Sequence, residues 1–494
     1  MFYRNTLKTK KTVEKEIKYN LFQDGITDKD DFVCEEGSSR SCYNFNVEDG
    51  SLKSGYGFSA LTLPTSTSDL DSESEFNVQG SEIKAIWKLK WYNFSTDQNN
   101  YYLFYYNDLG QICYDNLFAQ RITSFVVDND FTETPYAAYY RVGHQDSLLL
   151  SGEGDDLLII TGSGLQRNEN APKIVSCCNH YGSLFAITSS ERGTLVYSEE
   201  TDILNFTDEL CQNLDFGDER GDLNKIISFN DYLYIFRDFG ITEVSKYGTD
   251  DNFAISHLYM SNNYIYPNTI TQCGDDIIFL DSSGLKIFNG SSVSEIKSEY
   301  NKMLSAKNQS NAWGEFYNGK YFLACQVKFD DSQQIGCESY SGGYTNNALL
   351  VYDMTDKSFQ LLRGVDINRL LTLNNPYKTK LIASFNGEHK GKIGQLSEDG
   401  KIFGTALGKY WQSKQTDFGD SGKLKKIMSF TIKSKYPCSV TLKSETMQKV
   451  FEIKGGDEVQ RVPAGAVGKL FTVIIESTQL AKISNFVLTV KLEK

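Results

Sequence analysis

The sequence predicts an all-β chain: a β-propeller of six or seven blades with a small C-terminal antiparallel β-sandwich domain. Three observations carry that expectation. Aromatic residues make up 13% of the 494, with 30 Tyr and 31 Phe against seven Pro, and aromatic side chains pack well on a pleated, half-buried surface. One phrase, an apolar run, a tight polar turn and a second apolar run, recurs along the chain. The last stretch abandons continuous apolar runs for strict alternation of apolar and polar residues.

The recurring phrase is clearest in IIFLDSSGLKIFNG (277–290). Asp281 favours a turn there and Gly284 lets the backbone reverse, as hairpin geometry with φ > 0 requires. The phrase returns in KIISFNDYLYIFRDFGITEV from 225 and in IVSCCNHYGSLFAITSSERGTLVYSEE from 174. It returns again in NAWGEFYNGKYFLACQV from 311 and in INRLLTLNNPYKTKLIASFNG from 367. Looser copies occupy 83–116 and 136–166, so that up to seven units follow one another. A lone meander of three or four strands buries too little to stand by itself. Copies arranged radially bury their apolar faces against one another, which is the propeller arrangement.

Before these units, residues 1–43 read as an N-terminal arm and lead-in. The first 16 residues hold five basic and two acidic side chains and suggest a mobile or partner-bound arm. Residues 44–81 read as first strands followed by a Ser/Asp-rich linker over 62–81. The propeller is expected over 82–410 and the sandwich over 411–494. Runs such as KIMSFTIKS, CSVTLKS, LFTVIIES and NFVLTVKLE each show one buried and one wet face. Charge marks the same boundary. Net charge is −14, yet residues 421–494 carry 13 Lys and Arg against six Asp and Glu, leaving 37 basic and 58 acidic residues in the remainder.

That acidic remainder argues against a grip on nucleic acid, because phosphate attraction needs Lys and Arg. It suits a wall along which DNA slides without adhering. The ten Cys form no C-x-x-C pair and the four His are not spaced to share a metal with them. Reduced core thiols are expected, with Cys177 and Cys178 on opposite faces of one strand. No apolar core follows the charged N-terminus, so no signal peptide is expected. No window approaches the roughly 18 apolar residues of a membrane span.

Catalytic motifs are not evident. There is no G-x-S-x-G, no H-E-x-x-H and no G-x-x-x-x-G-K-[ST]. SEDGKIFG (397–404) approaches a sialidase-type Ser-x-Asp-x-Gly but places Gly400 one position early. The acidic runs at 24–31 and 128–130 lack the ligand spacing of an EF-hand. Trp87 and Trp91 alternate with lysines, and both face one side, towards core or interface. No catalytic, cofactor or metal residue is nominated, and no cofactor is expected.

The order of these phrases resembles the tail hub, nozzle or "packaged DNA stabilisation" propeller proteins of tailed bacteriophages. The resemblance runs from NFNVEDGSLKSGYG (44–57) through LVYSEETDILNF (195–206), NKIISFNDYLYIFRDFGITEV (224–244) and DDIIFLDSSGLKIFNGSSVSEI (275–296). It closes with ALLVYDMTDKSFQLL (348–362), where Phe359 stands at a place that the family tends to fill with Trp. The resemblance implies a non-catalytic virion protein of the tail or neck, made in the bacterial host cytoplasm. It implies a homo-oligomeric ring, expected as a hexamer, below the portal and its adaptor and in contact with other tail proteins. That ring would seal packaged DNA and give it a channel for ejection, without sequence-specific binding or a membrane span. The alternative is a receptor- or carbohydrate-binding propeller, or a glycoside-processing one.

Overall fold

In the computed structural model, the structure describes residues 13–18, 22, 26, 38–64, 73–116, 125–128, 131–142, 145–152, 155–169, 173–198, 212–247, 252–329, 344–374, 378–419 and 422–492. Among them, seven antiparallel sheets form the blades of a propeller. Blades one to six occupy 83–128, 136–168, 174–215, 223–260, 271–295 and 313–363, each with four strands in sequence order. Each blade shares a hydrophobic core with the next, and the seventh shares one with the first. The sequence expectation of six or seven blades resolves to seven.

Hairpin chemistry sets the blades. Asn230-Asp231 and Asn318-Gly319 each hold two consecutive residues at positive φ, the requirement of a type I′ turn. In the Asp281 turn, one carboxylate oxygen accepts from Ser283 N (2.8 Å), Ser283 Oγ (2.7 Å) and Gly284 N (3.0 Å). The middle strands are fully buried, as in Leu184–Ile187, Leu233–Phe236 and Ile277–Leu280, because both faces pack on neighbouring blades. Cys177 enters the core between blades two and three and Cys178 the core between three and four. Both therefore lie on opposite faces, and neither is in a disulfide. Trp87 and Trp91 share the face towards blade two, where a Cβ at Gly162 would collide with the Trp91 ring.

Blade seven closes the ring with a strand from far away. Its local strands are Ile367–Asn374, Thr379–Phe385 and Ile393–Ser397, and the fourth is Gly57–Ala60 from the N-terminal region. Phe58 fills the blade core against Phe385, ring to ring at 5.3 Å.

The sheets cut across the expected linear division. The sandwich has one sheet built on Lys425–Ser434, Gln460–Gly468 and Lys482–Leu492, joined by Val13–Lys18, Phe45–Glu48 and Ser51–Ser54. Its second sheet holds Ser39–Tyr43, Lys409–Ser413, Cys438–Ser444, Gln448–Ile453 and Phe471–Ser477. Residues 13–18 are thus a strand rather than part of an arm, while 1–12 lie outside the described residues. The 62–81 segment also departs from a simple linker. Thr62–Pro64 pairs with Glu73–Glu75, Glu73 binds Lys380 at 3.2 Å, and Phe76 and Val78 pack on the core between blades seven and one.

Asn44 sits where the two domains meet, 1% exposed and at φ +60°. Its side-chain amide donates to Arg363 O (3.0 Å) and Gly408 O (2.6 Å) and accepts from Arg363 N (2.7 Å). Its backbone N–H donates to Leu361 O. One residue thereby ties the sandwich to the outer strand of blade six.

Candidate functional site: the axial channel

A propeller's first strands are edge strands, with backbone groups left unpaired towards the axis. Here side chains supply partners at all seven joints. Tyr139 Oη accepts from Lys88 N between blades one and two (3.2 Å), and Asn179 Oδ1 from Arg141 N between two and three (2.8 Å). Ser176 Oγ accepts from Ile226 N between three and four (3.1 Å). Lys225 Nζ donates to Ile270 O between four and five (2.6 Å), and Tyr321 Oη to Thr269 O between five and six (2.7 Å). Between six and seven, Trp313 Nε1 donates to Leu370 O (3.0 Å) and Thr372 Oγ1 to Phe316 O (2.7 Å). Lys88 Nζ to Thr372 O (2.7 Å) and Asn368 Nδ2 to Lys84 O (2.8 Å) close the ring between seven and one.

Four charged side chains stand on this wall. Burial pushes Lys225 down to about 8 and lowers Lys88, while the Glu315 carboxylate opposes both shifts. Burial likewise raises Glu315, and the two lysines act against that rise. These residues come from blades one, four and six, and each lysine shares an electrostatic influence with Glu315. Burial also pushes Arg369 down to about 10. Its guanidinium lies 4.4 Å from the Trp313 ring and donates to Asn368 O at 3.0 Å. Tyr139 keeps 40% of its surface open, yet protein crowding raises its hydroxyl pKa.

The sequence reading nominated none of these residues. Their signal was a charge inside the first strand of a repeated unit: Lys88 in KAIWKLKW, Lys225 in LNKIISF, Glu315 in WGEFY and Arg369 in INRLL.

Other polar groupings are structural in character. At one end of blade four, Arg237 is fully buried and donates to Asp218 (2.9 Å) and to the carbonyls of Phe216 and Gly221. Asp238 accepts from Asn224 Nδ2 and Asp222 N. A pocket of about 240 Å³ at the domain junction is lined by Ile26, Tyr43, Tyr300, Met303, Lys328 and Phe329, among others. Asp399 of SEDGKIFG accepts from Ser397 Oγ and Lys401 N, and so organises a turn. Among the described residues, no three His, Cys, Asp or Glu group to hold a metal, and no helix is long and apolar enough to cross a membrane. Of the acidic runs, 24–31 apart from Ile26 and residues 129–130 lie outside the described residues.

No protein-family model matches the sequence, and no curated protein matches it. Solved propeller structures do. BBS1N in complex with ARL6DN, from a mercury-soaked crystal, matches at TM-score 0.40 and 9% identity, over 65% of this chain and 92% of that one. YCF48 bound to D1 peptide matches at TM-score 0.39 and 12% identity, over 69% and 96%. Likenesses this distant say nothing of what the chain does. The propeller rests on its own seven sheets.

Proposed function

We propose that the chain is a non-catalytic structural subunit of a tailed-bacteriophage tail or neck, assembled as a ring below the portal and its adaptor. In that role it seals packaged DNA and lets it pass at infection. The reading rests on the order of the hairpin phrases over 44–410, which resembles that family of virion propellers. The geometric observation that supports it best is the closed axis. The polar side chains at all seven joints spend hydrogen bonds on neighbouring backbone, and Lys88 and Lys225 do so with their ammonium groups, to Thr372 O and Ile270 O. Such a wall holds neighbouring blades together.

In this reading a duplex, whose major groove alone is about 12 Å wide, does not thread the axis of a single propeller. DNA passes instead through the middle of a ring of copies, past the acidic outer surfaces of the propellers, where like charge prevents adhesion.

Electron microscopy of virions tests the proposal: the chain is expected in a ring at the neck or tail, and deleting its gene should yield particles that lose packaged DNA. Particles that retain DNA without the protein would overturn it.

A further inference from the structure

We infer that the ring contact is electrostatic: the outer face of the sandwich sheet docks on the acidic end of blade four in the next copy. This rests on the ring reading and names its interface.

The basic side is unusual in its composition. Lys425–Ser434, Gln460–Gly468 and Lys482–Leu492 hydrogen-bond side by side and contain no Asp or Glu. Ile427 and Val490 point into the core, so Lys426 and Lys491 point outwards, and the two are direct cross-strand partners. Like charges placed opposite each other destabilise a sheet. Lys433 and Arg461 share the face, and none of the four forms an ion pair among the described residues. On the other side of Lys491 the strand Val13–Lys18 brings Glu14 into register with Lys491 and Glu16 with Thr489, so the basic strip centres on Lys426, flanked by Lys491 and Val467. Met428, 36% exposed, places an apolar side chain in the middle of these charges.

The acidic side is built by three loops of blade four. Asp222 N donates to Asp238, Ile265 N to Asp238 O and Ser261 N to Phe239 O, which draws 218–222, 238–240 and 260–265 together. Asp215, Asp218, Glu219 and Asp222 are exposed there. The fully buried Arg237 (2.9 Å) and Arg220 of the same loop (3.3 Å) both pair with Asp218, so the charge left for a partner is that of Glu219 and Asp222, which have no ion pair among the described residues. Met260 (47% exposed) and Tyr264 (37%) supply apolar surface beside them. A basic face with an apolar centre thus finds a counterpart with acidic groups and exposed apolar side chains. Because the two patches differ, pairing them is head-to-tail, the kind of contact that generates rings.

Sedimentation velocity on the full chain tests this at about 0.1 M and about 1 M salt, where the Debye length falls from about 10 Å to about 3 Å. The wild type is expected to be assembled at the lower salt and monomeric at the higher. Lys426→Glu with Lys491→Glu, and separately Glu219→Lys with Asp222→Lys, should each give monomers with unchanged circular dichroism, the first melting somewhat lower because Glu14 is in register with residue 491. All four changes in one chain should restore assembly, because every interface again opposes unlike charges. Should a reversal disturb folding, the neutral pair Lys426→Gln with Lys491→Gln should still weaken assembly about tenfold. Reversal variants that assemble like the wild type, or salt-indifferent assembly, overturn this interface and leave the ring standing. A wild type that is monomeric at every salt concentration removes the ring reading itself, and the interface with it.

Discussion

Asn44 and Arg363 hold each other in both directions: the Asn44 side chain accepts from Arg363 N and donates to Arg363 O. The left-handed backbone of Asn44 makes this possible, and Asn tolerates it better than most residues. Replacing Asn44 with Ala strands one buried N–H and two buried carbonyls, so a loss of about 3 kcal/mol is expected by denaturant titration. Asn44→Asp should cost more, because an acceptor would then face the carbonyls of Arg363 and Gly408. Equal stability of Asp and wild type would contradict the assigned bonds.

Two glycines separate backbone strain from crowding. Gly274 (φ +68°) has open space where a Cβ would sit, whereas at Gly284 (φ +143°) a Cβ would meet the Asn301 side chain. Gly274→Ala should lose about 1 kcal/mol. Gly284→Ala should lose more, since Asn301 also binds Leu285 N and Ile296 O and cannot simply move away. A reversed order in thermal melts would refute this account of the turn.

The channel charges predict a pH dependence. Lys225 titrates near 8 in the fold, below its ordinary 10.5. Between those values the unfolded chain binds a proton that the folded chain lacks, so stability from this residue rises with pH and its cost is fully present below about 8. Denaturation of wild type and Lys225→Met from about pH 7 to about pH 10 should therefore move in favour of the wild type as pH rises. A constant difference would mean that Lys225 is unperturbed.

Glu315 is the counter-charge that both lysines feel. Glu315→Gln should cost about 1–3 kcal/mol, less than in a sealed core because water reaches the channel. Adding Lys225→Met should recover part of that loss. Strict additivity in this double-mutant cycle would show that the two side chains do not interact.

Closure of blade seven by Gly57–Ala60 makes the N-terminal region part of the propeller. Phe58→Ala should destabilise by about 3–5 kcal/mol in a denaturant titration. A change under about 1 kcal/mol would contradict burial of that strand in the blade.

Blades one to six were legible, the first two only loosely, because each is a local meander, and blade seven was legible in its three local strands. The phrase around Asp281 and Gly284 sets a turn, and its repeats mark the other turns, without help from distant residues. The sandwich was half legible. KIMSFTIKS and NFVLTVKLE announce one wet face by alternation, but nothing in VEKEIK or SRSCY says that its partner lies near residue 490 or 411. Pairing across most of the chain leaves no local trace, and the same holds for Gly57–Ala60. The channel residues were visible as charges in otherwise apolar first strands, yet only closure of the ring brings Glu315 within reach of Lys88 and Lys225.

The central claim is that this propeller is a ring subunit, and electron microscopy of the purified full chain at low salt tests it most directly. The account predicts closed rings of equivalent copies around a lumen, with each sandwich on the neighbouring propeller. Isolated single propellers at every concentration would contradict it.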